Sequence, residues 1–85
     1  MKWNVYVLRC ADNTLYTGIA IDLEKRIDEH NNDNRKASKY TRVRRPVNLV
    51  YSEFCKDRSA ASIREAEIKR LSRLEKEQMI LAYRK

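Results

Sequence analysis

The chain is predicted to adopt an α+β fold: a small three-stranded antiparallel sheet flanked by three helices, in the order β-β-α-β-α-α. Three observations predict it. Two β-branched and aromatic runs near the N-terminus are separated only by the turn-forming Ala11-Asp12-Asn13. A third run, VNLVYSEF, comes directly after Pro46. Three further segments with apolar residues at helical spacing each begin at a good capping residue.

The first strand spans residues 3–10. Val5 and Val7 alternate with Tyr6 and Leu8, so both faces are apolar and the strand should be central. Asp12 and Asn13 bond their own backbone readily and tolerate left-handed geometry, which turns the chain. Residues 14–18 return as a second strand. Gly18, the only glycine, is expected to end it, either at positive φ or where close packing excludes a side chain. Asp22 is a plausible cap for a helix over 23–31, with Leu23 and Ile27 inward and Glu24, Lys25, Asp28 and Glu29 outward. Residues 31–45 carry no apolar period and read as a loop with one short turn at most. Pro46 suits the first position of a third strand, 47–54, because no ladder donor is needed there. A second long helix, 58–70, is capped by Asp57 or Ser59. Ala60, Ala61, Ile63, Ile68 and Leu71 are its apolar residues. Ser72 and Glu75 form a capping box for a last helix, 73–83, anchored by Leu74, Ile80 and Leu81.

Length and composition narrow the function. The 85 residues allow one domain, 1–85, with a thin core. Lys and Arg outnumber Asp and Glu 19 to 12, for a net charge of +7, which favours a polyanionic partner and makes nucleic acid the first candidate. The two cysteines, Cys10 and Cys55, form no CxxC pair, which disfavours zinc. MKWNVYVLRC is interrupted too early by Arg9 to be a signal peptide, and no apolar run reaches membrane-spanning length. The expected setting is cytoplasmic with reduced thiols, and the expected state is a monomer without a membrane partner or small-molecule cofactor.

Several side chains could carry chemistry. Tyr6 and Tyr16 fall on facing strands, where their phenols could act on a water or simply pack. Arg26 and His30 are neighbours at i, i+4, close to the apolar stripe, an unusual place for an arginine. A guanidinium there could hold phosphate oxygens or pair with Glu29 or Asp22. His30 could serve catalysis or structure alike. Between 35 and 45 stand six cations and no acid: Arg35, Lys36, Lys39, Arg42, Arg44 and Arg45. Phosphate binding would relieve their repulsion, and Tyr40 among them could stack on a base. Glu65 and Glu67 both sit at the edge of an apolar helix face. Either could bind a hard cation such as Mg²⁺ or Mn²⁺, and periodicity does not choose between them.

Taken together, these residues resemble the GIY-YIG nuclease superfamily. Asn4-Val5-Tyr6 stands for the first half-motif and Tyr16-Thr17-Gly18 for the second. Asp22-Leu23-x-x-Arg26-x-x-x-His30 resembles that family's segment after the second half-motif, and REAEIK, 64–69, its later glutamate-bearing helix. The stretch 38–53 resembles the small stand-alone bacterial branch. The resemblance implies an endonuclease hydrolysing DNA phosphodiesters with one divalent metal, Mg²⁺ or Mn²⁺. It implies Tyr6 as base or water-orienting group, Tyr16 as its assistant, Arg26 as the stabiliser of charge at phosphorus, His30 near the point of attack, and Glu65 as the metal ligand. Asn4 replaces the name-giving glycine. Ile19 stands where some members carry a lysine, which implies one phosphate contact fewer.

The expected specificity is for DNA shape or single strands rather than sequence, in repair or processing. Two other readings use the same residues: a non-catalytic nucleic-acid-binding module that keeps the fold, and a protein-interaction adaptor working through the last helix. The catalytic reading carries a geometric expectation, that Tyr6, Tyr16, Arg26, His30 and Glu65 line one concave face.

Overall fold

The computed structural model describes residues 2–83. Strand β1 (Trp3–Arg9) and strand β2 (Leu15–Ala20) form the hairpin, and helix α1 spans Leu23–Asn32. Within the segment expected as loop, Lys39–Arg42 form a four-residue helix, α2. Strand β3 covers Asn48–Cys55 and leads into α3 (Arg58–Arg70) and α4 (Arg73–Tyr83). Four residues are too few for an apolar period to show in α2. Its signal is Ser38, whose hydroxyl accepts the Thr41 amide as an N-cap.

The sheet order is β2-β1-β3, all antiparallel, so the strand apolar on both faces is the central one. Val5 and Val7 point to one side, where they pack with Ala61 and Ile68 of α3 and Ile80 of α4. Tyr6 and Leu8 point to the other, against Val47, Ala20 and the α1 residues Leu23 and Ile27. Strand pleating alone produces this division. Each aliphatic side chain so buried contributes about 1.5–3 kcal/mol.

Local signals set the boundaries. Asn13 adopts φ 69°, and Asp12 accepts the Thr14 amide at 3.1 Å, which closes the hairpin turn. Asp22 caps α1 through Lys25 N, and Asp57, rather than Ser59, caps α3 through Ala60 N at 2.8 Å. The capping box of α4 is reciprocal: Ser72 Oγ accepts the Glu75 amide and Glu75 Oε1 accepts the Ser72 amide. Glu77 ties this helix back to β1 by taking both terminal nitrogens of Arg9, at 3.0 and 2.6 Å. The Arg9 guanidinium holds the Glu77 carboxyl down to about 2.

Several expected anchors face solvent. Ile63, Leu74 and Leu81 are exposed, because α3 and α4 present only one narrow stripe each to the sheet and nothing packs on their outer sides among the described residues. Strand β2 continues two residues past Gly18. Glu29 is half-buried rather than outward. Cys10 and Cys55 are free thiols, in clusters on opposite faces of the sheet.

Candidate active site

Tyr6 and Gly18 are direct partners across the β1–β2 ladder, and Leu8 pairs with Tyr16. The two tyrosines therefore share a face as diagonal neighbours, with ring centroids 6.4 Å apart. Gly18 does not have positive φ. Its value is space: a Cβ there would stand 2.6 Å from Tyr6 Oη and 2.8 Å from Tyr6 Cζ. The phenol lies folded over the glycine backbone, so close packing is the reason for the residue.

From α1, His30 enters the same face and is fully buried. Its Nε2 is 2.8 Å from Tyr6 Oη, and its ring meets Tyr16 edge-on at 5.2 Å. Its Nδ1 is 2.7 Å from Thr41 Oγ1, a residue of α2 that is also fully buried. Burial, reinforced by the Arg26 charge, drops the imidazole to about 4, so it is neutral at pH 7. Burial, reinforced by Tyr16, pushes the Tyr6 phenol up to about 12, while Arg26 opposes the rise. At neutral pH the pair is thus a neutral phenol against a neutral imidazole.

Arg26 lies at the rim of this cluster. Its guanidinium bonds Glu29 at 2.9 Å and the Lys36 carbonyl at 2.7 Å, both through Nη1. Glu65 lies on α3, and its charge is the smallest of the influences that raise the Tyr6 phenol. It is half-buried and pairs with Lys69 at 3.3 Å. Glu67 is more exposed and pairs with Arg64, so the two carboxylates that periodicity could not separate differ clearly in placement. Among the described residues no three His, Cys, Asp or Glu side chains converge. A single hard carboxylate still fits Mg²⁺ or Mn²⁺, which keep several waters and take substrate phosphate oxygens for the rest. Tyr6, Tyr16 and His30 form a closely packed aromatic cluster on one face of the sheet with Arg26 at its rim, while α3, which carries Glu65, packs on the other face.

The basic segment divides into two kinds of residue. Arg35, Lys36 and Lys39 are exposed, with no ion pair among the described residues. Arg42 is exposed and donates to the Asn34 carbonyl. Arg44 pairs with Asp12 at 3.0 Å and lies over the Tyr40 ring at 3.9 Å. Arg45 donates to His30 O, Asn34 Oδ1 and Asp33 O. The chain therefore does not carry six mutually repelling free cations: Arg44 and Arg45 tie the segment to the hairpin and to α1. Tyr40 is also committed, stacked on Tyr16 at 6.0 Å and covered by Arg44, so the base-stacking platform expected there is taken.

Three residues of this region have roles that sequence did not signal. Thr41 holds His30. Asn4 donates to the carbonyls of Ala20 and Ile21, so its amide braces the end of β2 where a glycine could not. Asn31 exchanges two hydrogen bonds with Val47, which fixes the start of the third-strand region against α1. The Arg45–Pro46 peptide beside it is cis.

A model of the GIY-YIG catalytic domain matches residues 2–78. A UPF0213 protein of Desulfotalea psychrophila is 53% identical over 83 residues, covering 98% of this chain and 74% of that one. A UPF0213 protein of Natronomonas pharaonis is 53% identical over 76 residues, covering 89% and 87%. The solution structure of a UPF0213 protein of Bacillus halodurans superposes with a TM-score of 0.61 at 39% identity, covering 96% of this chain and 85% of that one. That of a protein of E. faecalis gives 0.66 at 37%, covering 99% and 88%. No helix of the described residues is long and apolar enough to cross a membrane.

Proposed function

This chain belongs to the GIY-YIG nuclease family, and we propose that it is a metal-dependent endonuclease that hydrolyses DNA phosphodiester bonds with little sequence specificity, in repair or processing of DNA. The observation that carries the reading is the 2.8 Å contact of Tyr6 with His30, beside Tyr16 and with Arg26 at the rim. A phenol pushed up to about 12 cannot be a free base at pH 7. It can orient a water and take its proton only as its own proton passes to His30 Nε2. The water oxygen forms the new bond to phosphorus, and the bond to the leaving strand's oxygen breaks with its electron pair. Arg26 neutralises charge gathering on the phosphate, and Tyr16 shapes the approach. Glu65 would hold Mg²⁺ or Mn²⁺, whose charge would polarise the phosphate. Arg35, Lys36, Lys39 and Arg42 supply phosphate contacts along the backbone, which carry no sequence information.

Incubation with supercoiled plasmid and with branched or single-stranded DNA in Mg²⁺ or Mn²⁺ tests the proposal. Cleavage is expected, and Glu65→Ala, Tyr6→Phe and Arg26→Ala should each abolish it. Cleavage that survives all three substitutions overturns the assignment. Salt-dependent binding with no cleavage under either metal would instead favour the non-catalytic module.

A further inference from the structure

We propose that Thr41 is a positioning residue that holds His30 in the Nδ1–H tautomer, leaving Nε2 bare to accept the Tyr6 hydroxyl proton. The inference rests on the catalytic reading for its purpose, but its geometry stands alone. Thr41 Oγ1 has three neighbours: His30 Nδ1 at 2.7 Å, Ser38 Oγ at 2.9 Å and the Ser38 carbonyl at 3.3 Å. The carbonyl can only accept, so it takes the Thr41 hydroxyl hydrogen. Ser38 Oγ already accepts the Thr41 amide at 3.1 Å, so its own hydrogen is free to donate to Thr41 Oγ1. One lone pair of Thr41 then remains, aimed at Nδ1, and a lone pair needs a donor opposite it. Nδ1 must carry the hydrogen.

This arrangement is the one that uses all three contacts. In the other tautomer Thr41 would donate to Nδ1, and its oxygen would face the Ser38 carbonyl with no hydrogen between them. The far side of the ring is consistent: Tyr6 Oη lies 2.8 Å from Nε2, and a bare Nε2 gives the phenol hydrogen an acceptor. The chain of donors thus runs Tyr6 to His30 to Thr41 to the Ser38 carbonyl. A four-residue helix with an ordinary serine cap becomes the element that sets the polarity of the site. Orientation of a histidine through its second nitrogen is a general way of fixing which nitrogen does the chemistry.

His30 is the only histidine, so ¹⁵N-histidine labelling and long-range ¹H–¹⁵N correlation at pH 7 read its tautomer without ambiguity. The wild type should show a protonated Nδ1 and a bare Nε2. Thr41→Val should lose that pattern, and Thr41→Ser should keep it. A wild-type ring protonated at Nε2, or a pattern unchanged in Thr41→Val, overturns the proposal. If Thr41→Val does not fold, the wild type and Thr41→Ser still decide. On cleaved DNA, Thr41→Val should lower kcat about a hundredfold with KM unchanged, the low end of what positioned proton transfer contributes, and Thr41→Ser should restore it. If no form of the protein cleaves DNA, the function is wrong while the tautomer measurement still judges Thr41.

Discussion

The Tyr6 phenol occupies the space that a side chain on Gly18 would need: a Cβ at Gly18 would fall 2.6 Å from its oxygen and 2.8 Å from Cζ. Tyr6 is buried, and its hydroxyl is fixed by His30, so the ring has nowhere to yield. Gly18→Ala should therefore lower stability by about 1–3 kcal/mol, the usual range for overpacking, and should remove cleavage altogether. Urea unfolding and plasmid nicking check the two effects. An alanine variant of wild-type stability and activity would mean that the phenol does not lie over the glycine.

Acid should weaken the fold through His30. Its folded value is depressed from 6.5 to about 4 by burial, with Arg26 and Arg45 adding to the depression and Glu29 opposing it. The unfolded chain therefore binds the extra proton first. The stability is fully present above pH 6.5 and is lost as pH falls toward 4, by up to about 3 kcal/mol. Denaturant unfolding between pH 7 and pH 4 should show this slope, and His30→Gln should flatten it.

The basic segment should separate into binding and structural residues. Arg45→Ala removes three hydrogen bonds to the end of α1 and should destabilise the fold by about 1–3 kcal/mol. Arg35→Ala, Lys36→Ala and Lys39→Ala should leave stability within about 0.5 kcal/mol. Each should reduce the salt slope of DNA binding by about 0.7–0.9. Fluorescence anisotropy across a salt series, paired with thermal unfolding, distinguishes the two classes.

The capping box of α4 offers a control remote from the site. Ser72→Ala leaves the Glu75 amide without its acceptor and should cost about 1 kcal/mol. It should not change the cleavage rate of the folded protein at 25 °C. A loss of cleavage with this variant would show that activity merely tracks stability.

Sequence revealed the sheet and the three long helices because their signals are local. Alternating apolar residues marked β1, and Asp22, Asp57 and Ser72 marked the helix starts through bonds to amides three residues on. The nearness of Tyr6 and Tyr16 was legible from the same local pattern, since a hairpin fixes which side chains share a face, whereas His30 beside them was implied only by the family resemblance. What stayed hidden depends on tertiary packing. Leu74 and Leu81 look like core on a helical wheel, but no further layer covers them among the described residues. Arg45 looks like a free cation, but its partners are backbone carbonyls and an amide that only the folded chain brings near. Thr41 had no visible role, because α2 is too short to show a period and its contact with His30 crosses eleven residues.

In the proposed mechanism, Glu65 on α3 and the Tyr6 cluster on the hairpin and α1 form one metal-dependent centre. Titration of the ¹⁵N-labelled protein with Mn²⁺, monitored by paramagnetic line broadening, tests this most directly. Resonances of Glu65, Tyr6, Tyr16 and Arg26 should broaden first and together, and Glu65→Gln should abolish the effect. Broadening centred on other carboxylates such as Asp12 or Asp28, with the Tyr6 cluster sharp and Glu65→Gln without consequence, would contradict it.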